Sequence, residues 1–238
     1  MKAKAVIFDF GGTLFDYYPS NAEIWVKISK LLGLDILPNN PDLLSGLAKQ
    51  RRYLEYSANS GKELLNTNWD DPYDKNLMKW NNFVSNELKI NNKNSHQIIY
   101  EEFKKREGSY QIYKESREIL DELLRRKIKI GMVSNTSESS AEGRRPMLEE
   151  YGILKHFETI IFSSEVGIAK PDHKIFVMAL EELQIPAENV LHVGDSIYHD
   201  VNGAKKVGIT PILYDPLKFF IYDCIKIENL LDLLELIE

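Results

Sequence analysis

The sequence predicts a doubly wound α/β fold, in which a parallel sheet is covered by helices on both faces and carries an inserted helical subdomain. The first observation is that short apolar runs alternate with helical patterns from residue 111 to the end of the chain. The second is that these runs are continuously apolar, which is typical of strands buried on both faces. The third is that residues 16–110 contain all three tryptophans but no convincing strand pattern.

Five apolar runs supply the predicted strands. The first, Ala5 to Phe8, lies close to the N-terminus and far from the others in sequence. The later runs are Ile128 to Val133, Phe157 to Phe162, Val190 to Val193 and Ile209 to Leu213. Between the runs, apolar residues recur at spacings of three and four, for example after a candidate N-cap at Asp172, and this spacing predicts helices. We therefore assign residues 1–15 and 111–238 to the α/β core.

The inserted segment, residues 16–110, is predicted to be a helical cap. Ser20 to Glu23 has the form of a capping box, and the helical pattern that follows stops at Gly33. The stretches from Pro41 to Ser57 and from Lys75 to Leu88 also favour helices. In the core, the tail from Asn229 predicts a closing amphipathic helix.

Composition argues against several classes of function. The chain has 30 Lys and Arg against 36 Asp and Glu, and this acidic balance argues against general nucleic-acid binding. No apolar run approaches the roughly 18 residues of a membrane helix, and no signal peptide is evident, so we expect a soluble, cytoplasmic protein. The single cysteine, Cys224, and the spacing of the histidines argue against zinc. The adjacent Arg144 and Arg145 are interpreted as part of a solvated face.

Polar residues follow the predicted strands at the point where each strand ends. In an open parallel sheet, ligands bind at the carboxyl ends of the strands. The residues at these ends are Asp9 to Thr13, Ser134 to Thr136, Ser163 and Ser164 leading to Lys170, and Asp195 with Asp200 beyond it. Carboxylate and carbonyl oxygens suit Mg²⁺, whereas a lysine and backbone N–H groups suit phosphate oxygens. The sequence therefore predicts a site for Mg²⁺ and a phosphoryl group.

Four segments at these strand ends resemble the four motifs of the haloacid dehalogenase superfamily. They are Asp9-Phe10-Gly11-Gly12-Thr13-Leu14, Val133-Ser134-Asn135, Gly167-Ile168-Ala169-Lys170-Pro171-Asp172 and Gly194-Asp195-Ser196-Ile197-Tyr198-His199-Asp200. Their order matches that of the family, and the insert resembles the family's helical cap. The resemblance implies a Mg²⁺-dependent hydrolase that acts on a small phosphorylated molecule. It implies no oligomeric state.

The resemblance assigns the nucleophile and the metal ligands. Asp9 would take the phosphoryl group as an aspartyl-phosphate and would also bind Mg²⁺. The backbone carbonyl of Gly11 and the carboxylate of Asp195 would complete the protein ligands. Asp200 would lie at the metal or just behind it.

The resemblance also assigns the residues around the phosphoryl group. Ser134 would hold its oxygens, together with backbone amides around Gly12 and Asn135. Lys170 would offset the charge between the nucleophile and the phosphate, and Thr13 would shape the first loop. By this resemblance Thr13, Ser134 and Lys170 belong to both the catalytic and the phosphate-binding set.

One position departs from the family pattern. Phosphatases of the family usually carry an aspartate two residues after the nucleophile, where it protonates the leaving group and then activates water. Here that residue is Gly11, which keeps the carbonyl ligand but supplies no acid. Losing a positioned proton donor typically costs about 10²- to 10⁴-fold in rate. A phosphatase would therefore need an acidic leaving group or a surrogate acid, for which Asp16, Tyr17 and His199 are candidates.

Two other interpretations stay open. The first is a different hydrolase on the same scaffold, either a phosphonate-cleaving enzyme with Lys49 as a Schiff-base lysine or a dehalogenase. Retention of Asp195 argues against the dehalogenase, because metal-free relatives usually lose it. The second is a binding or regulatory module that binds phosphate or becomes phosphorylated on Asp9 but turns over negligibly.

Overall fold

The computed structural model of the chain describes residues 2–60, 81–90, 95–105, 110–136 and 138–237. The chain divides into two compact units. The first comprises Met1–Asp16 and Gln111–Glu238, and the second comprises Tyr17–Tyr110. Within the described residues, no helix has the length and apolar character that spanning a membrane requires.

The first unit contains a parallel six-stranded sheet, which confirms the predicted α/β fold. The strands among the described residues are β1 Ala5–Phe8, β2 Phe15–Tyr17, β3 Tyr110–Ile112, β4 Lys129–Ser134, β5 Thr159–Phe162, β6 Val190–Gly194, β7 Thr210–Tyr214 and β8 Ile225–Ile227. The order in the sheet is β5-β4-β1-β6-β7-β8, so the chain builds outward on one side of β1 and then on the other. Such a switch point is where open parallel sheets bind ligands.

The register of the sheet places the ends of three strands side by side. Phe8, the last residue of β1, lies opposite Met132 of β4 and Val193 of β6. Asp9 therefore leaves the sheet between the loops that follow β4 and β6. The first unit thus brings the residues of three predicted motifs to one edge.

Helices cover the sheet because each one has an apolar face. In the first unit they are α5 Lys114–Arg125, α6 Glu138–Glu150, α7 Ser163–Val166, α8 His173–Leu183, α9 Asn202–Lys205 and α10 Leu233–Leu236, with 3₁₀ turns at Leu154–His156, Ala187–Asn189 and Leu230–Asp232. Asp172 caps α8, as predicted, by accepting a hydrogen bond from the amide of Lys174. Phe176 of α8 packs with Ile7 of β1 and Val133 of β4 in one buried cluster.

The second unit is helical in its described part. Its helices are α1 Asn21–Leu31, α2 Pro41–Ser60, α3 over residues 81–87, and α4 Ser95–Lys104. The predicted capping box is present at α1, because Ser20 and Glu23 each accept a backbone hydrogen bond from the other. Trp25 of α1 is buried, with its ring centroid 5.8 Å from that of Phe103 in α4. The predicted helix from Lys75 to Leu88 lies partly outside the described residues, since the structure describes it only from residue 81.

Several elements, strand β8 among them, differ from the sequence prediction. Strands β2 and β3 pair with each other at the two edges of the insert, where three residues each are too few to produce a visible alternation. The tail after Asn229 forms a 3₁₀ turn and then only the four residues of α10, in place of one longer helix. A π-helical turn, Ile197–Val201, follows β6.

Candidate active site

The loop after β1 folds back on itself and presents Asp9. The amide of Asp9 donates to the carbonyl of Val193 in β6 at 2.9 Å, which fixes the residue at the end of the sheet. The carbonyl of Phe10 accepts from the amides of Leu14 and Phe15, and these two bonds close the turn. Asp9 is buried, so its carboxyl group faces other protein groups more than bulk water.

Two glycines allow carboxylates to approach the backbone. Gly12 has a φ of +77°, and an ideal Cβ atom at this position would overlap the carboxylate of Asp195. A Cβ atom at Gly194 would overlap the carboxylate of Asp200 in the same way. Neither carboxylate could take its place beside a residue larger than glycine, which gives both glycines a physical role in the site.

Asp200 lies on the π-helical turn after β6, a type of turn that is often found at functional sites. Its Oδ2 atom accepts a hydrogen bond from the amide of Ser196 at 3.0 Å. Its Oδ1 atom lies 2.9 Å from Nε2 of His192, a fully buried residue of β6. Both oxygens of Asp200 are therefore held by protein groups.

Three carboxyl groups and one lysine meet at the centre of the site. Asp9, Asp195 and Asp200 each offer an oxygen atom within 4.8 Å of the other two. Nζ of Lys170 donates to Oδ1 of Asp9 at 2.7 Å and to Oδ1 of Asp200 at 2.6 Å. The cluster therefore has a formal excess of two negative charges, which a divalent cation would match. Its donors are the hard oxygens that Mg²⁺ prefers, so the residues present fit that ion.

The buried ion pair raises the pKa of Lys170 and lowers that of Asp200, so that both groups stay charged. Burial alone would lower the pKa of Lys170, but attraction to Asp200 and Asp9 outweighs it and raises the pKa. Burial alone would raise the pKa of Asp200, yet Lys170 and His192 hold the pKa of this carboxyl well below its usual range. The site thus keeps an ammonium ion and a carboxylate in contact without bulk water.

The loop after β4 holds the next two predicted residues. Ser134 is buried, and its Oγ atom accepts a hydrogen bond from Nη1 of Arg144 at 2.8 Å. The side chain of Asn135 donates to the carbonyl of Lys170 at 3.0 Å and accepts from the amide of the same residue at 2.8 Å. The second predicted motif thus positions the lysine of the third.

The structure shows the hydrogen bonding of Gly12 and the burial of Thr13, two predicted residues of the first loop. The amide of Gly12 donates to the carbonyl of Phe15 at 2.6 Å, so in this conformation that amide is engaged within the loop. Thr13 is fully buried, and its hydroxyl oxygen has no hydrogen-bond partner in the described part of the chain. That Thr13 shapes the loop stays a prediction.

The three candidate surrogate acids have different surroundings. Asp16 accepts a hydrogen bond from the hydroxyl of Tyr113, whose pKa is raised by burial and by the nearby charges of Asp16 and Asp195. Tyr17 is exposed. His199 lies with Nδ1 3.1 Å from the hydroxyl oxygen of Ser196. The hydrogen-bond partners of Asp16 and His199 both lie near site carboxylates, Tyr113 near Asp195 and Ser196 in contact with Asp200.

Two residues at the site were missed by the sequence interpretation. The sequence predicts Arg144 on a solvated face with Arg145, but it is only 6% exposed and binds Ser134. The sequence pattern includes His192 in an apolar strand without a role of its own, but its ring contacts Asp200. A histidine inside an otherwise apolar strand is a signal that could have been used, whereas the arginine pair carries no mark of which member faces inward.

Comparisons with known proteins show which family the chain is similar to. A family model described as haloacid dehalogenase-like hydrolase matches residues 3–208. Phosphoserine phosphatase from Thermus thermophilus is 32% identical over 117 residues, which cover 49% of this chain and 46% of the relative. Phosphorylated carbohydrates phosphatase from Thermotoga maritima is 28% identical over 88% of this chain and 83% of the relative. The chain thus spans about half the length of the first of these relatives and most of the second.

Solved structures show the same fold. A haloacid dehalogenase phosphatase from Thermococcus onnurineus superposes with a TM-score of 0.56 at 25% identity, and the match covers 98% of this chain and 97% of that one. The hydrolase YfnB from Bacillus subtilis, solved with magnesium bound, superposes with a TM-score of 0.65 at 18% identity over the whole of both chains. Because the family model also covers most of the sequence, the chain belongs to the haloacid dehalogenase-like hydrolases.

Proposed function

We propose that this hydrolase is a Mg²⁺-dependent phosphatase of a small phosphorylated metabolite and that Asp9 is its nucleophile. The observation that carries the proposal is the buried Lys170, which bridges Asp9 and Asp200 while Asp195 lies within reach of both carboxylates. The retained Asp195 argues against a dehalogenase, because metal-free relatives usually lose this carboxylate. The phosphatase relatives add weight to a phosphate-ester substrate. The compartment that we propose is the cytoplasm.

In the proposed reaction, a carboxylate oxygen of Asp9 attacks phosphorus and the ester oxygen leaves with its electron pair. Lys170 binds Oδ1 of Asp9, which leaves the second oxygen to act as the nucleophile. Water then attacks phosphorus in the aspartyl-phosphate, which releases inorganic phosphate and regenerates Asp9. Lys170 would also offset charge on the phosphoryl oxygens, and Ser134 would donate a hydrogen bond to one of them.

Asp9, the carbonyl of Gly11 and Asp195 are the protein ligands that we propose for Mg²⁺. When bound, the ion would neutralise charge on the phosphoryl group and on the nucleophile. Asp200 already accepts hydrogen bonds at both oxygens, and this favours a place behind the ion, where it holds Lys170.

We assign the acid and base function that Gly11 lacks to Asp16. Gly11 and Phe15 form an isolated β-bridge. Asp16 follows Phe15 directly, so it is next in sequence to the residue that pairs with Gly11. Its hydrogen bond from Tyr113 orients the carboxyl group. A carboxylic acid at this place could give its proton to the leaving oxygen and later take one from water.

The second unit would serve as the cap that selects the substrate. The surroundings of Lys49 in this unit argue against phosphonate cleavage, because Lys49 is exposed and ion-paired with Glu87. A Schiff-base lysine is usually activated by desolvation or by a neighbouring cation. Lys49 has the opposite environment.

The test is a panel of phosphate esters and phosphonates assayed with Mg²⁺ and with EDTA. We expect phosphate release from esters that is lost with EDTA and lost in Asp9→Asn, whereas Asp223→Asn, at an exposed aspartate of the same unit, keeps the parent rate. Intact-mass analysis after treatment with an acyl phosphate should show one added phosphoryl group on the parent protein only. Release from phosphonates alone, or equal labelling of the parent and Asp9→Asn, would overturn the proposal.

A further inference from the structure

We propose that Arg144 is a positioning residue for phosphoryl transfer, which turns the hydroxyl of Ser134 toward the phosphoryl group and ties the loop of Ser134 to the loop of the nucleophile. The inference rests on the proposed function of the site. Neither the motifs nor the comparisons point to this residue, since it lies on α6, between the second and third motifs.

The burial of Arg144 is the first observation. Arg144 and Arg145 are neighbours on α6, yet the first is 6% exposed and the side chain of the second is 43% exposed and paired with Glu165. Arginine is almost never buried unless it is paired, because removing its charge from water is costly. Arg144 therefore needs contacts in the interior that compensate for the lost hydration of its charge.

The direction of its hydrogen bonds is the second observation. Nη1 of Arg144 lies 2.8 Å from Oγ of Ser134 and 3.4 Å from the carbonyl oxygen of Asn135. A guanidinium group only donates hydrogen bonds, so Oγ of Ser134 must accept here. The single hydroxyl hydrogen of Ser134 then points away from Arg144 and is available as a donor. Phosphoryl oxygens need such a donor.

The contact with Phe10 is the third observation. The guanidinium carbon lies 4.4 Å from the ring centroid of Phe10, the residue directly after the nucleophile Asp9. The same ring stacks on Phe15 with a centroid separation of 4.3 Å and an interplanar angle of 10°. Arg144 therefore contacts the first loop through an aromatic face and the second loop through a hydroxyl and a carbonyl group. One side chain sets the position of the nucleophile relative to the phosphate-binding serine.

A double-mutant cycle tests this role. The variants are Ser134→Ala, Arg144→Met and the combination, with Arg145→Met as the matched control on the same helix. The two readouts are kcat/KM for a phosphate ester and the thermal stabilisation that Mg²⁺ with fluoroberyllate gives, which reports on the occupied site without turnover. We expect each single change at Ser134 or Arg144 to lower kcat/KM by about 10- to 100-fold, in line with the loss or misplacement of one donor.

The coupling between the two sites decides the outcome. If Arg144 acts through Ser134, kcat/KM of the double variant should lie no more than about threefold below that of the less active single variant. Arg145→Met should have the kcat/KM of the parent. Losses that multiply in the double variant, or an equal loss in Arg145→Met, would overturn the inference. If Arg144→Met does not fold, Arg144→Lys takes its place in the cycle, because it keeps the charge and removes the planar fork.

The fluoroberyllate readout separates this inference from the proposed function. A parent protein that releases no phosphate from any ester but shows the same coupling in fluoroberyllate stabilisation would refute the phosphatase proposal and retain the role of Arg144. Additive effects in that readout, with or without turnover, would refute the role of Arg144.

Discussion

Replacing Gly11 with aspartate should increase phosphatase activity, since it restores a carboxyl group two residues after the nucleophile. The structure leaves room for the side chain, because an ideal Cβ atom at Gly11 meets no heavy atom within 4 Å. The backbone at Gly11 is also compatible with a larger residue, since its φ lies outside the positive region that favours glycine. The substitution keeps the backbone carbonyl that we assign to Mg²⁺.

The expected gain follows from the role of a positioned acid. General acid catalysis typically contributes about 10²- to 10⁴-fold, and Asp16 would already supply part of that. We therefore expect the hydrolysis of an ester with a poor, alkoxide leaving group to increase by about 10-fold, which corresponds to about 1.4 kcal/mol of the barrier. An ester with a good leaving group should gain less, because its oxygen needs less protonation.

Steady-state rates on the two kinds of ester measure the effect, and thermal shifts with Mg²⁺ show whether the site is intact. Gly12→Asp is the matched control, since a side chain at the next position would overlap Asp195 and the φ of +77° disfavours it. This control should lose both activity and Mg²⁺ stabilisation. A folded Gly11→Asp protein that binds Mg²⁺ like the parent but gains nothing on any ester would refute the reasoning.

Three further outcomes are expected. Asp195→Asn should abolish the thermal stabilisation by Mg²⁺, and an unchanged thermal shift would contradict the assigned metal site. Lys170→Met leaves Asp9 and Asp200 buried without their cation, so urea unfolding in EDTA should show a loss of about 3–5 kcal/mol, and a loss below about 1 kcal/mol would argue against a structural ion pair. Because the pKa of Asp200 is lowered and that of Lys170 is raised, their pair should stabilise the metal-free protein between about pH 4 and pH 10. This stabilisation should decline as the pH falls below about 4 or rises above about 10; a melting temperature in EDTA that is highest outside this window would be the contrary result.

Much of the fold was predictable because its signals are local. A strand buried on both faces needs continuous apolar side chains, and the run from Ala5 to Phe8 became β1 without any shift of its ends. The capping box at Ser20 encodes a helix start within four residues. Since parallel strands end at a common edge, the positions of Asp9 and Asp195 after their strands were enough to predict that they meet.

The rest depends on contacts between distant segments, which no local pattern records. Arg144 faces inward because the ring of Phe10 and the hydroxyl of Ser134 lie there, and both belong to other elements. The sequence of α6 does not show which arginine faces inward. Arg144 and Arg145 are adjacent and chemically identical, and the helix also contains an internal proline, Pro146. The π-helical turn after β6 carries Asp200, whose partner Lys170 lies 30 residues earlier in the chain.

The paired hydrogen bonds between Asn135 and the backbone of Lys170 make one side chain part of the support for another. An asparagine side chain is itself an amide, and here it makes with a peptide the two bonds that one strand makes with its neighbour. The lysine is thereby held through its own main chain as well as through the ion pairs of its side chain. Aspartate at position 135 would lose the donor and leucine would lose both bonds, so either substitution would loosen the backbone that carries the ammonium group.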